Sequence, residues 1–163
     1  MLAWRRQTLY ESGMKISLGS DHAGYPYKEA LAEMLRSQGY QVIDCGTHSP
    51  EATDYPLWCI PAAEKVASGE AEKGIVIGGS GNGEAIAANK VKGIRCAIAW
   101  SDDTARLASQ HNNANVLSLG ARMISLETAK RLVDLWLSTP FEGGRHLLRI
   151  EELAKYEAGL PMS

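Results

Sequence analysis

A glycine-rich segment near the middle of the chain holds the residues best suited to chemistry. The apolar run Ile75–Ile77 leads into Gly78–Glu84 (GGSGNGE), and a helix-forming stretch follows. Glycines let a loop turn sharply and approach a ligand closely, and the unpaired N–H groups of a helix start favour an anion. Because the side chain set into this loop is a carboxylate, the pattern favours proton abstraction beside an oxyanion over simple phosphate binding.

Two common glycine-loop motifs fit this segment poorly. A phosphate-binding P-loop shares the spacing of Gly78 and Gly83 but continues with Lys and Ser or Thr, whereas Glu84 and Ala85 follow here. A dinucleotide-binding loop reads G-x-G-x-x-G after the first strand, whereas this one reads G-x-G-x-G after the third predicted strand. A tight turn without a ligand would leave four glycines in six residues unexplained.

Other polar residues are candidates with structural alternatives. Asp21 and His22 follow the first apolar run, where the alternative is a capped turn before a helix. His111 begins the Asn-rich segment 111–115, whose residue types alone indicate a surface turn. Arg145 and Arg149 are four apart, so on a helix they would present two guanidinium groups on one face, suited to a phosphate. The alternative for these arginines is a solvated basic helix end.

Composition points to one compact domain. The chain has 163 residues and a formal net charge of −2, which gives no sign of nucleic-acid or membrane partners. Three cysteines without metal-ligand spacing, Cys45, Cys59 and Cys96, indicate buried reduced thiols in the cytoplasm. The first residues contain only a three-residue apolar run, too short for a signal peptide or a spanning helix. We expect a flexible extension over 1–13, one domain over 14–158 and a tail over 159–163.

The hydrophobic pattern alternates between strand-like and helix-like stretches. Short apolar runs predict strands over 16–19, 42–45, 75–77, 96–100 and 116–119. Spacing of 3.6 residues predicts helices over 27–38, 58–68, 83–90, 102–110 and 126–137, with a last helix over 149–157. Five β-α units predict an α/β fold, a Rossmann-like three-layer sandwich with a five-stranded parallel sheet and helices on both faces.

Parallel sheets bind ligands beyond the carboxyl ends of their strands. We therefore expect Asp21, the loop Gly78–Glu84 and the end of strand four to face one crevice. The segment His111–Asn115 precedes the fifth strand, so topology alone leaves open that it lies at the opposite edge.

Three motifs together resemble type B ribose-5-phosphate isomerase, of the ribose/galactose phosphate isomerase family. They are Ser20–Tyr25, Gly79–Lys90, and His111–Asn115 with Gly120–Arg122, and the match runs from about Met14 to Glu157. The family includes isomerases of four- and six-carbon aldose phosphates. The resemblance implies a cofactor-free, metal-free aldose–ketose isomerase of the pentose phosphate pathway, interconverting ribose 5-phosphate and ribulose 5-phosphate through an enediolate. The spacing of His and carboxylate residues gives no chelating set in the sequence.

The resemblance also implies residue roles. In the best-known branch a cysteine at the position of Gly78 is the base, whereas a second branch carries Glu where this chain has Glu84, which is then the base. His111 would be the ring-opening acid. The expected substrate contacts are Asp21 and Asn112 to the sugar oxygens, Ser80, Gly81, Asn82 and Gly83 to the oxyanion, and His22, Arg122, Arg145 and Arg149 to the phosphate.

The resemblance further implies that Arg145 and Arg149 reach into the neighbouring subunit's site, so that a homodimer is part of the mechanism, with a tetramer left open. His146 is expected to line the same site and His48 to lie in a surface loop. Two other classes compete: a non-catalytic sugar-phosphate sensor and a flavodoxin-like nucleotide- or flavin-binding domain. Glu84 argues against both, because neither has a use for it.

Overall fold

The computed structural model describes residues 13–163. The predicted extension over 1–13 therefore lies, apart from Gly13, outside the described residues.

Within this range five strands and six helices alternate. The strands are β1 (Lys15–Ser20), β2 (Gln41–Asp44), β3 (Lys73–Gly78), β4 (Cys96–Ile98) and β5 (Val116–Gly120). The helices are α1 (Tyr25–Ser37), α2 (Pro56–Ala67), α3 (Asn82–Asn89), α4 (Asp102–Gln110), α5 (Leu126–Ser138) and α6 (Arg145–Glu157). All strand pairs are parallel, in the order β2-β1-β3-β5-β4. The predicted α/β architecture is confirmed.

The sheet has a hydrophobic core on each face. Along β3, Ile75 and Ile77 belong to the cluster under α1, α4 and α5, whereas Val76 belongs to the cluster under α2 and α3. Successive strand residues point to opposite faces, so a continuous apolar run is what a strand covered on both sides requires. Trp136 of α5 is fully buried in the first cluster, and its indole N–H donates to the Ala114 carbonyl oxygen at 3.1 Å.

Several predicted boundaries hold at the level of single residues. Ser101 caps α4 and forms a capping box with Thr104. Gly39 follows α1 with φ +91°, the left-handed conformation that glycine adopts easily after a helix.

Other predicted boundaries are shifted by one or two residues, and the start of the last helix by four. The last helix begins at Arg145 rather than Arg149, because its first turn packs His146 against His111 instead of presenting an apolar stripe that the sequence would reveal. Strand β4 ends at Ile98 rather than Trp100, although the Ala99 N–H still donates to the Ser118 carbonyl oxygen at 3.1 Å.

The sheet order places a switch point between β1 and β3. From β1 the chain moves outward to β2, and from β3 onward it builds the other half of the sheet. Such a divergence opens a crevice beyond the carboxyl ends of the two central strands. Both central strands lead there into predicted site residues, Asp21 after β1 and Ser80 two residues after β3. Among residues 13–163 we find no helix with the length and apolar character needed to cross a membrane.

Candidate active site

Glu84 lies in the first turn of α3, with its carboxylate against Gly78 at the end of β3. It is only 3% exposed, and within the described residues its Oε2 is buried without a hydrogen-bond partner. Gly81 caps the helix with φ +87°, which lets the chain turn from β3 into α3 while keeping the carboxylate close to the strand end. A buried carboxylate oxygen with no donor is costly unless a ligand or a proton satisfies it.

Burial raises the pKa of Glu84 above its ordinary value, and the negative charge of Asp21 raises it further. The backbone N–H groups of Glu84 and Gly81 act in the opposite direction, but burial is the larger effect. From the sequence alone, opposing effects on the pKa of Glu84 are expected, but not which of them is larger. In the structure the pKa is raised. A carboxylate with a raised pKa is a stronger base than an exposed one.

The three thiols are poor bases by comparison. Burial raises the pKa of Cys59 far above neutrality and that of Cys96 to about 12, and it also raises the pKa of Cys45. A thiolate is the reactive form of cysteine, so these residues stay protonated at neutral pH. All three cysteines are free, as the sequence predicts, but only Cys59 is fully buried, whereas Cys45 and Cys96 are partly exposed.

The loop itself is held by β5. The Ser118 hydroxyl donates to the Gly81 carbonyl oxygen at 2.7 Å, and the Arg122 N–H donates to the Gly79 carbonyl oxygen at 3.0 Å. The Asn82 N–H donates to Ser80 Oγ at 3.2 Å. These contacts place the Arg122 backbone beside the loop.

Asp21 and His22 lie beside this loop. Asp21 Oδ1 accepts from the Gly24 N–H at 3.0 Å, so it does cap the turn before α1, and its charge also reaches Glu84. Nδ1 of His22 lies 3.2 Å from both the N and the O atoms of Thr53, which fixes the ring. We call the predicted residues at these strand ends the carboxyl-edge group: Asp21, His22, Ser80, Gly81, Asn82, Gly83, Glu84 and Arg122.

The other predicted residues lie at the opposite edge of the sheet. The segment His111–Asn115 leads into the start of β5, and the Asn115 carbonyl oxygen accepts from the Gly74 N–H near the start of β3 at 2.9 Å. A strand of five residues such as β5 spans about 16 Å, which separates this edge from Glu84. We call His111, Asn112, His146, Arg145 and Arg149 the amino-edge group.

His111 and His146 join the two parts of this group. Their rings stack with centroids 4.1 Å apart and planes 13° apart. Burial lowers the pKa of His146, and the neighbouring His111, Arg145 and Arg149 lower it further. Lowering the pKa favours the neutral form of the His146 ring at neutral pH.

The structure also brings together a cluster that sequence spacing does not reveal. Ligand atoms of His111, Glu142 and His146 lie within 4.8 Å of one another. An imidazole nitrogen binds a metal in the plane of its ring, so two nearly parallel stacked rings cannot both point at one ion. Arg145 and Arg149 add positive charge, and this arrangement suits an anion better than a cation.

Two residues near the site carry no signal in the sequence. The Tyr55 ring packs against Gly83, where a Cβ would lie 2.7 Å from Cζ, although its position before Pro56 indicates only a turn and core. Arg95 contacts the loop that holds His111. A lone Tyr or Arg at such a place has no spacing partner that would identify it.

His48 is exposed in the loop after β2, as predicted.

Comparison with known proteins now decides the family. The profile of the Ribose/Galactose Isomerase family matches residues 16–153. The chain belongs to this family. The ribose-5-phosphate isomerase B of Mycobacterium leprae is 51% identical over 148 residues, which are 90% of this chain and 91% of that protein.

Solved structures agree with this assignment. Ribose-5-phosphate isomerase B of Clostridium thermocellum is 48% identical, with a TM-score of 0.88 over 90% of this chain and 99% of that one. The enzyme of Mycoplasma genitalium with bound ribulose-5-phosphate is 40% identical, with a TM-score of 0.86 over 89% and 97% of the two chains. The family resemblance predicted from the three motifs is confirmed.

Proposed function

We propose that the chain is an aldose–ketose isomerase that interconverts ribose 5-phosphate and ribulose 5-phosphate. The observation that carries this proposal is the buried Glu84 carboxylate, which has a raised pKa and an unpartnered oxygen beside a glycine loop. Membership of the Ribose/Galactose Isomerase family and the names of the relatives support the reaction and the sugar.

The reaction divides into ring opening and proton transfer. His111 protonates the ring oxygen as its bond to C1 breaks and the C1 hydroxyl loses its proton, which leaves an aldehyde. Glu84 then removes the proton from C2, the electron pair of that C–H bond forms a C1=C2 double bond, and the carbonyl π electrons move onto the C1 oxygen to give the enediolate. Ser80 and the loop N–H groups stabilise the negative charge. The proton of the C2 hydroxyl then passes to the C1 oxygen while Glu84 returns its proton to C1, which completes the ketose.

We further propose that two copies of the chain build each site. A substrate in contact with Glu84 is too far from the same chain's His111, because the two groups lie at opposite edges of the sheet. A second copy can supply its amino-edge group to the first copy's carboxyl-edge group. Arg145 and Arg149 of that copy then meet the phosphate together with His22 and Arg122 of the first.

The surface of α6 supports this assembly. Leu148, Leu153 and Tyr156 are each more than half exposed on this helix. Beside them lies a groove of about 640 Å³ between α6, the end of α3 and β4. Exposed apolar side chains on one helix face favour burial against a partner, here a second copy of the chain in a homodimer. The reduced thiols fit a cytoplasmic enzyme, which acts in the non-oxidative branch of the pentose phosphate pathway.

A substrate panel tests the proposed function. The purified full chain should convert ribose 5-phosphate to ribulose 5-phosphate without added metal or cofactor, and more efficiently by kcat/KM than it isomerises four- or six-carbon aldose phosphates. A higher kcat/KM for another sugar phosphate would support the aldose–ketose isomerase reaction but contradict ribose 5-phosphate as the preferred substrate. Binding of ribose 5-phosphate without turnover would overturn the enzyme and favour the sensor.

A further inference from the structure

Arg95 holds the loop that carries His111 and Asn112. It lies just before β4, and its guanidinium donates from Nε to the Asn112 carbonyl oxygen at 3.0 Å and from Nη2 to the Asn113 carbonyl oxygen at 2.8 Å. Its own backbone N–H donates to Asn115 Oδ1 at 2.8 Å. Arg95 therefore contacts this loop through both its side chain and its backbone.

The loop needs such support. The carbonyl groups of Asn112 and Asn113 lie beyond the end of α4, where the helix supplies no N–H group to meet them. Asn113 adopts φ +43°, a conformation that is uncommon for a residue other than glycine. The two guanidinium bonds satisfy two carbonyl oxygens of this segment and fix the backbone direction as it leaves His111.

Gly93, two residues before Arg95, also contacts the end of α6. The Gly93 N–H donates to both carboxylate oxygens of Glu157, at 2.9 and 3.0 Å, and the Asn115 side-chain amide donates to the Gly93 carbonyl oxygen at 2.9 Å. Glu157 ends the helix that carries Arg145 and Arg149. The segment Gly93–Arg95 is thus bonded both to the loop that follows His111 and to the C-terminal end of α6.

We propose that Arg95 is a positioning residue for the isomerase reaction. By fixing the carbonyl groups of Asn112 and Asn113, it sets where His111 and Asn112 meet the sugar, without touching the substrate itself. The planar fork of arginine matches two adjacent acceptors, whereas a lysine ammonium is a compact point charge. A displacement of about 1 Å at a catalytic group can lower the rate about 10²-fold. This inference rests on the proposed function, since it assigns the loop to the site.

Chemical rescue gives the sharpest activity test. Arg95→Ala should lower kcat for ribose 5-phosphate by about 10- to 100-fold, Arg95→Lys should recover part of the loss, and millimolar guanidinium should restore Arg95→Ala but not His111→Asn. Arg106→Ala is the matched control, because Arg106 is a partly exposed arginine on α4 whose ion pair with Asp103 lies at the surface. It should keep near-normal kcat.

Hydrogen exchange provides a readout that does not depend on activity. Exchange of the backbone amides in 111–115 should be faster in Arg95→Ala than in Arg106→Ala, while amides of β1 and β3 stay as protected as in the parent. Unchanged exchange in this loop, or a kcat within twofold of the parent, would overturn the positioning role. A parent protein inactive on ribose 5-phosphate but with the expected exchange pattern would overturn the proposed function alone.

Discussion

The Glu84 carboxylate occupies the space that a side chain at Gly78 would need. A Cβ built on Gly78 would overlap with Oε1 and Cδ of Glu84. In the family branch where the sequence motif begins with cysteine, the base would project from this same strand position. A carboxylate in the position of Glu84 and a side chain at residue 78 therefore exclude each other sterically, which explains why this chain has glycine there.

A double-mutant cycle on stability tests this exclusion. Gly78→Ala should lower the free energy of unfolding by about 1–3 kcal/mol, the usual cost of overpacking. In a Glu84→Ala background the same substitution should cost less than half as much, because the carboxylate is gone. Denaturant unfolding of the four proteins measures both values. Equal costs in the two backgrounds would show that the residues do not compete for space.

The pH dependence of kcat/KM should report the charge of Asp21. Glu84 must be ionised to remove a proton, so activity falls as the pH falls through its raised pKa. Asp21→Asn removes a negative charge that raises this pKa, so the acid limb should move to lower pH, whatever the change in maximal rate. The exposed Asp134→Asn on α5 is the control and should leave the limb in place. A limb that stays fixed in Asp21→Asn would contradict the coupling.

Neutralising Glu84 should stabilise the fold at high pH. Because the pKa of this carboxyl is raised in the folded state, the folded chain keeps a proton that the unfolded chain has released. The free energy of unfolding therefore falls as the pH rises from the ordinary pKa of glutamate through the raised one, and the loss persists above it. Glu84→Gln should have a higher Tm than the parent at pH 8, with the difference shrinking toward pH 4. A lower Tm at pH 8 would contradict the assigned direction.

The fold was predictable because its signals are local. Continuous apolar runs such as Ile75–Ile77, each followed by glycine or a polar residue, identify buried parallel strands, and the cap at Ser101 identifies a helix start. The first turn of the last helix was not predicted, because it is stabilised by His146 stacking on His111, a contact between residues 35 positions apart in the sequence.

The candidate site was predictable in its members but not in its arrangement. Motif spacing brings Glu84 and Asp21 to one edge, since both follow strands. It leaves open that His111 lies at the opposite edge, and it does not show that His146 stacks on His111, because that contact joins residues far apart in the sequence. The direction of the Glu84 pKa depends on burial, and the Arg95 contacts depend on backbone carbonyl positions, so neither has a signature in residue types.

Mixed dimers test whether sites are built across subunits. A dimer of one Glu84→Gln chain and one Arg149→Ala chain has one site with both changes and one intact site. Random mixing should then recover about a quarter of the parent activity, since half of the dimers are mixed and each has one of two sites intact. Glu84→Gln mixed with Asp21→Asn is the control, because both changes fall on the carboxyl-edge group and no intact site can form. No recovery in verified mixed dimers would rule out shared sites.

Turnover of ribose 5-phosphate by Glu84→Gln tests the role of Glu84 as the base most directly. Gln keeps the size of the side chain but cannot take up a proton at neutral pH, so kcat should fall by about 10²- to 10⁴-fold, the range for general acid–base catalysis. Binding of the substrate should persist, which isothermal titration can check in the same protein. A Glu84→Gln enzyme with kcat close to that of the parent would contradict the assignment of Glu84 as the base.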